Sequence, residues 1–288
     1  GIERGLTMAV KIITDSLSDI TGDLVKKLRI NVVPLYVRFG EEVYRDRIEM
    51  TTDEFYRRLV TDTVFPSTTQ PTPHDFLAIY QELAKETDEI LVITLSSQLS
   101  GTYQSALQAK NLLEGKCRIE IVDSQTAGMG LGLIVISTVE AARKGASLGE
   151  LVDFVQRAMG RSHLIAYFDT LKYLAKGGRI GKAQGFVGSV LSFKPILTIK
   201  DGVMSPVTRL RSRAAGIDYL YNSVANYPDI EALAVEHCTT PDDAEALIER
   251  LGSFFPRERI YQSTISPVVG AHAGPGALAI TVLEAEKA

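Results

Sequence analysis

The sequence predicts an α/β fold of two domains, with mainly parallel sheets flanked by helices. Three observations predict it. Short runs rich in β-branched residues alternate with segments of helical periodicity, the pattern of strands joined by crossover helices. Glu89–Leu95 (EILVITL) is an apolar run that does not alternate, as expected of a strand covered on both faces. The 288 residues suit one large or two medium domains, and a change of character after Gly160 divides them into 8–160 and 161–288. Met8 reads as the natural start, with Gly1–Thr7 a remnant of cloning.

In the first part, Val10–Asp15 is a strand ending in the polar Thr14-Asp15-Ser16, and Thr21–Leu28 a helix. Val32–Phe39 is a second strand, with Pro34 marking an edge or a bulge because proline cannot donate to a ladder. Thr52–Val60 is a helix capped by Thr51 or Thr52, with acids in its first turn. Pro66–Pro73 is a proline-pinned loop, and His74–Lys85 a helix. After Glu89–Leu95 come a serine-rich turn at Ser96–Gly101, a helix over Thr102–Leu113, a strand at Arg118–Val122 and helices over Leu131–Lys144 and Leu148–Met159, the last started by Ser147.

In the second part, Leu164–Phe168 is a strand, Leu171–Lys176 a short helix and Gly177–Gly188 a glycine-rich stretch. Pro195–Lys200 and Val203–Val207 form a hairpin through Asp201-Gly202, a strong turn signal. Ala214–Ala225 is a helix, Ala232–Glu236 a strand, and Pro241–Leu251 a helix with Thr240 as cap and proline in its first turn. Ile260–Ser263 and Ala277–Leu283 are strands on either side of a loop, Val269–Gly276.

Composition narrows the function. Lys+Arg 31 against Asp+Glu 35 leaves a net charge of −4, without the basic stripe that nucleic-acid binding requires. Apolar residues at 45% and charged ones at 23% are globular chemistry. Two cysteines, Cys117 and Cys238, make no disulfide framework or metal motif, and both read as buried strand residues. The most apolar stretch, Leu131–Val139, falls short of the roughly 20 residues that span a bilayer. A soluble cytoplasmic protein without stable membrane insertion is expected.

Signatures of catalysis and nucleotide binding are weak. Gly128-Met-Gly-Leu-Gly-Leu sits where a dinucleotide fingerprint would, but its sixth position is Leu133 and no acid follows at the required strand end. Gly177-Gly-Arg-Ile-Gly-Lys-Ala lacks a spacer residue and the metal-binding hydroxyl of a P-loop. Three polar loops remain: Ser67–Gln70, Ser96–Thr102, and Gly270–Gly276 with His272. Ser100 is expected beyond the carboxyl end of a strand and at a helix start, where free N–H groups favour an anion. A hydroxyl there, with His272 donating, suits a carboxylate or a phosphate. An enzymatic alternative, a small-molecule transferase or hydrolase using Ser100 and His272, needs a third group to orient the imidazole. Asp15 and Asp123 are its candidates.

Seven segments, in order, resemble the DegV family of fatty-acid-binding proteins: Thr14-Asp15-Ser16, Val33-Pro34-Leu35, Thr68-Thr69-Gln70-Pro71, Leu95–Tyr103, Val122-Asp123-Ser124, Leu174–Ile180 with Gly185-Phe186, and His272–Gly276. Thr69 replaces a common serine, keeping the hydroxyl, and Ala271 replaces a common threonine, removing one hydrogen bond. The resemblance implies a two-domain α/β protein with a long-chain fatty acid, such as palmitate or oleate, in a tunnel at or near the domain interface. It implies that Thr68 and Ser100 bond the carboxylate beside His272, with Thr69 and Gly101 in the same motifs and Arg179 neutralising charge. It further implies a substrate-carrying subunit, itself without catalytic residues, metal or cofactor, that presents the acid to a separate fatty-acid kinase for phospholipid synthesis. Leu131–Val135, Phe168, Phe186–Leu191 and Ile280 are expected to line the tunnel.

Overall fold

The computed structural model describes residues 9–188 and 193–288. The expectations for Gly1–Thr7 and Met8, and for positions 189–191 of the tunnel, lie outside them.

Two large sheets carry the fold. The first holds β1 (Lys11–Asp15), β2 (Asn31–Val33), β6 (Glu89–Thr94) and β7 (Arg118–Asp123) in the order β2-β1-β6-β7, all parallel. In β6 five consecutive residues, Ile90–Thr94, are buried, because helices cover both faces of the sheet. Helices α3 (Pro73–Leu83) and α4 (Thr102–Leu112) pack on one face, closing a cluster around Phe76, Tyr80, Ile90 and Val92. The second sheet holds β8 (Ser162–Tyr167), β9 (Lys194–Lys200), β10 (Val203–Leu210), β11 (Ile230–His237), β12 (Tyr261–Thr264) and β13 (Leu278–Glu284) in the order β10-β9-β8-β13-β11-β12. Only β11 and β12 run parallel within it; the other four pairings are antiparallel. The parallel expectation thus holds for the first sheet. In the second, β13 returns between β8 and β11, a long-range pairing that local pattern does not show.

Between the sheets lies α5 (Met129–Arg143), buried from Met129 to Val139, with β8, β11 and β13 on one side and β1 and β6 on the other. A helix apolar all round belongs in such a place. Its glycines serve close packing: a Cβ at Gly130 would stand 2.5 Å from Thr126 Oγ1, and one at Gly132 2.4 Å from the Ser18 carbonyl. Helix α6 (Leu148–Met159) is started by Ser147 in a capping box with Glu150. Helices α8 (Arg213–Ser223) and α9 (Pro241–Leu251) cover the outer face of the second sheet over Tyr167, Ile196, Leu233 and Ile280.

Several expectations are corrected. The Val32–Phe39 run is two strands: β2 ends at Val33, and β3 (Tyr36–Phe39) turns away into a small sheet with β4 (Glu42–Arg45) and β5 (Ser67–Thr69). Pro34 marks the break. The segment read as a proline-pinned loop therefore contains β5. The segment read as the loop Val269–Gly276 is mostly α10 (Pro267–Ala273), with Ser266 as N-cap and Pro267 at its first position. Thr240 makes no side-chain cap bond to α9. Cys117 is half-buried and precedes β7, while Cys238 is buried just beyond β11 against the Tyr56 hydroxyl.

Candidate functional site

The inner face of the second sheet explains a cavity. At the start of β13 the inward positions, Ala277 and Ala279, are small and the outward ones, Leu278 and Ile280, large, and on β8 the inward Ala166 lies between the larger Leu164 and Phe168. Ala166 and Ala279 face each other in register, so side chains leave space there instead of filling it. The result is an apolar cavity, walled by Leu164, Ala166, Phe168, Ile199, Met204 and Ala279 from this sheet and roofed by Leu17, Leu35, Leu95 and Leu99. Phe168 lines it as expected. Leu131–Val135 do not; they are packed between the sheets. Ile280 points to the outer face, and Phe186 belongs to a separate surface depression.

Five of the six candidate ligand residues line this cavity: Thr68, Thr69, Ser100, Arg179 and His272, with Gln70 beside them. Thr68 and Thr69 come from β5, Ser100 from the turn leading into α4, and His272 from the last turn of α10. Thr68 Oγ1 and His272 Nε2 are 2.8 Å apart. Arg179 donates from Nε to the Leu99 carbonyl at 3.1 Å and from Nη1 to the Gly177 carbonyl at 2.6 Å, which fixes the guanidinium next to Ser100. Ser100 Oγ accepts from the Thr102 N–H at 3.3 Å and lies 2.9 Å from the Thr102 hydroxyl. Gly101 does not line the cavity. A Cβ on it would lie 3.1 Å from the Gln70 amide, so its part is to let Gln70 pack against the start of α4.

Burial sets the electrostatics. His272 is held down to about 4, chiefly by desolvation and then by the positive field of Arg179. The imidazole is therefore neutral near pH 7. Its Nδ1 has no hydrogen-bond partner and faces Gly177, where a Cβ would stand 2.4 Å away. Neither acid considered as its orienter reaches it: Asp15 accepts from the Leu17 and Leu95 N–H groups, and Asp123 from those of Ser97 and Gln125. An imidazole without an acid behind it lacks the third member of a hydrolytic triad. Among the described residues no group of His, Cys, Asp or Glu is placed to hold a metal.

Thr102, which bonds Ser100, and Gln70, which lines the cavity, lie in the polar loops read from the sequence but not among the six candidate residues. The hydroxyl spacing of Ser100-Gly101-Thr102 was the available signal for the first.

The sequence profile of the DegV family, a family of uncharacterised proteins, matches residues 9–285. The chain belongs to the DegV family. Protein DegV of Bacillus subtilis is 33% identical over 279 residues, covering 95% of this chain and 98% of that one. A DegV domain-containing protein of Caldanaerobacter subterraneus is 34% identical over 275 residues, with 94% and 97% covered. Among solved structures, a fatty-acid-binding DegV-family protein of Thermus thermophilus superposes with a TM-score of 0.90 at 32% identity, over 96% of this chain and all of that one (100%). The B. subtilis DegV crystal structure, described as a fatty-acid-binding protein, gives 0.87 at 30%, with 96% and 100% covered. Among the described residues of this DegV-family chain, no helix is long and apolar enough to cross a membrane.

Proposed function

We propose that the chain binds a long-chain fatty acid, such as palmitate or oleate, with the tail in the cavity and the carboxylate at Thr68, Ser100 and His272, flanked by Thr69 and Arg179. One observation carries the reading: an apolar cavity lined by Thr68, Ser100, Arg179 and His272, in which Thr68 bonds His272 and Arg179 is anchored to the carbonyl of Leu99, the residue before Ser100. Burying roughly 14 methylenes at about 0.8 kcal/mol each contributes on the order of 10 kcal/mol, from which ordering and lost translation subtract several. The headgroup must then be fully bonded, since an unpaired buried anion costs several kcal/mol. With the neutral imidazole donating from Nε2 to Thr68, the Thr68 proton is free for the ligand. With Thr102 donating to Ser100, the Ser100 proton is free as well. Gly101 acts on the ligand only through Gln70.

In this reading the protein is a cytoplasmic carrier that presents the carboxylate to a separate fatty-acid kinase catalytic subunit, for acyl phosphate formation and phospholipid synthesis. The ordered motifs of the family support that role. Native mass spectrometry of the protein purified from bacteria tests the binding: a retained fatty acid, or uptake of added palmitate or oleate, is expected, and neither would reject it. Mixing the loaded protein with a purified fatty-acid kinase and ATP tests the presentation. A hydroxylamine-trappable acyl phosphate is expected, and its absence would reject the carrier role while leaving binding intact.

A further inference from the structure

One polar side chain lining the cavity stands outside the headgroup cluster. Glu236, on β11 opposite Ala279, hydrogen-bonds none of Thr68, Ser100, Arg179 or His272. It shares a stretch of wall with Gly128 and Leu164 and is 2% exposed. Its Oε1 accepts from the Met129 N–H at 2.9 Å. Gly128 makes room for this: a Cβ there would lie 2.6 Å from Oε1.

The other half of the carboxyl has the acidic Asp19 as a neighbour. The atoms of the two groups left without any N–H or hydroxyl donor are Glu236 Oε2 and Asp19 Oδ2. Asp19 Oδ1 accepts from the Arg47 guanidinium and the Ser266 N–H, and burial, with the Asp19 charge beside it, raises the Glu236 carboxyl well above the usual carboxylate range and favours its neutral form. A neutral carboxyl has a carbonyl oxygen with two acceptor positions, and the Met129 N–H takes one at Oε1. The other has no partner among the described residues, and Glu236 lines the cavity.

We propose that Glu236 is a second recognition point of the cavity, accepting a hydrogen bond from a hydroxyl carried along the acyl chain and so favouring hydroxylated long-chain acids over plain ones. The proposal rests on the fatty-acid reading of the site. A plain chain still binds, because passing Glu236 strands no donor. A hydroxyl at the right carbon gains a partner where the rest of the wall would leave it unpaired.

The test is calorimetric titration of delipidated protein with stearate and with a panel of monohydroxystearates that moves the hydroxyl along the chain. One member is expected to bind about five-fold tighter than stearate, the net worth of one hydrogen bond. Glu236→Gln keeps an acceptor at Oε1 and a donor toward Asp19, so the preference should persist. Glu236→Met should abolish it while stearate still binds. Every hydroxystearate binding more weakly than stearate to the wild type, or a preference surviving in Glu236→Met, would overturn the proposal. Should the Met variant fail to fold, a crystal structure with the preferred hydroxystearate decides: a hydroxyl away from Glu236 Oε1 refutes it. Failure of stearate itself to bind the wild type would instead sink the fatty-acid reading.

Discussion

Replacing Ser100 by alanine separates a ligand contact from a structural cap, because the geometry gives its hydroxyl both parts. Ser100 Oγ receives the Thr102 N–H and the neighbouring Thr102 hydroxyl, and Thr102 is fully buried at the start of α4. Losing the acceptor exposes one helix-start N–H, worth about 0.5–1 kcal/mol in the unliganded protein, or a fall in Tm of about 2–4 °C at most. Losing the donor removes one hydrogen bond to a buried carboxylate, worth about 1–3 kcal/mol, a rise in Kd of roughly 5- to 150-fold. Kd for palmitate by titration and Tm of the delipidated protein should therefore move together, with the affinity effect the larger. An unchanged Kd with a Tm loss above roughly 5 °C would show Ser100 to be a cap and nothing more, and would remove it from the headgroup site.

Other perturbations follow from the same contacts. Gly177→Ala should push the His272 ring off Thr68, since the new methyl falls 2.4 Å from Nδ1; the backbone there is right-handed helical, so the expected result is a loss of fatty-acid affinity of about 1–3 kcal/mol by titration. Ala279→Leu should fill cavity space opposite Ala166 and shorten the longest acyl chain accepted, seen by mass spectrometry of bound lipids. Stability should depend on pH with an unusual sign. Burial raises Asp15 and Asp46 to about 7 each, so between the unfolded carboxylate range and pH 7 the fold holds protons that the unfolded chain lacks, and that stability is lost as pH rises through 7. His272, lowered to about 4, and His237, lowered by burial, act oppositely, weakening the fold as pH falls below 6.5, while the raised Glu236 acts with the two aspartates. The denaturation midpoint of delipidated protein should be higher at pH 5 than at pH 8, and Asp46→Asn, which keeps the acceptor for the Val268 N–H, should flatten that difference.

The elements whose evidence is local were readable in the sequence. The β6 run, the Asp201-Gly202 hairpin and the Ser147–Glu150 capping box each contain their own signal within a few residues. The site was harder because its parts meet only through long-range pairing. Thr68 reaches His272 across 204 positions, and it does so from β5, a three-residue strand between prolines with no periodicity to read. The segment around His272 looked like a glycine-rich loop because Gly270, Gly274 and Gly276 outweighed Ser266-Pro267, which is a sound helix start. Gly270 is there for a different reason: a Cβ would strike the Tyr56 hydroxyl at 2.3 Å. The cavity itself leaves a trace in the sequence, the alternation of small and large residues in Ala277–Ile280.

The distribution of charge around the cavity also decides which way an amphiphile lies in it. Arg179 is anchored by two backbone carbonyls, and its positive field is strong enough to help keep His272 neutral. Among the described residues no second cation lines the cavity, and besides Arg179 and His272 the ionisable group in its wall is Glu236, raised well above the usual carboxylate range beside Asp19, which is tied to Arg47 outside the lining. A carboxylate entering that region would meet a buried acid cluster and no free donor, at a cost of several kcal/mol. The same carboxylate beside Arg179 meets a fixed guanidinium and two hydroxyl protons. In the proposed reading the orientation follows from the contrast between the two regions as much as from the headgroup contacts, and a dicarboxylic acid of equal length should bind far more weakly than the monoacid, because its second carboxylate would be driven into the wall that rejects it.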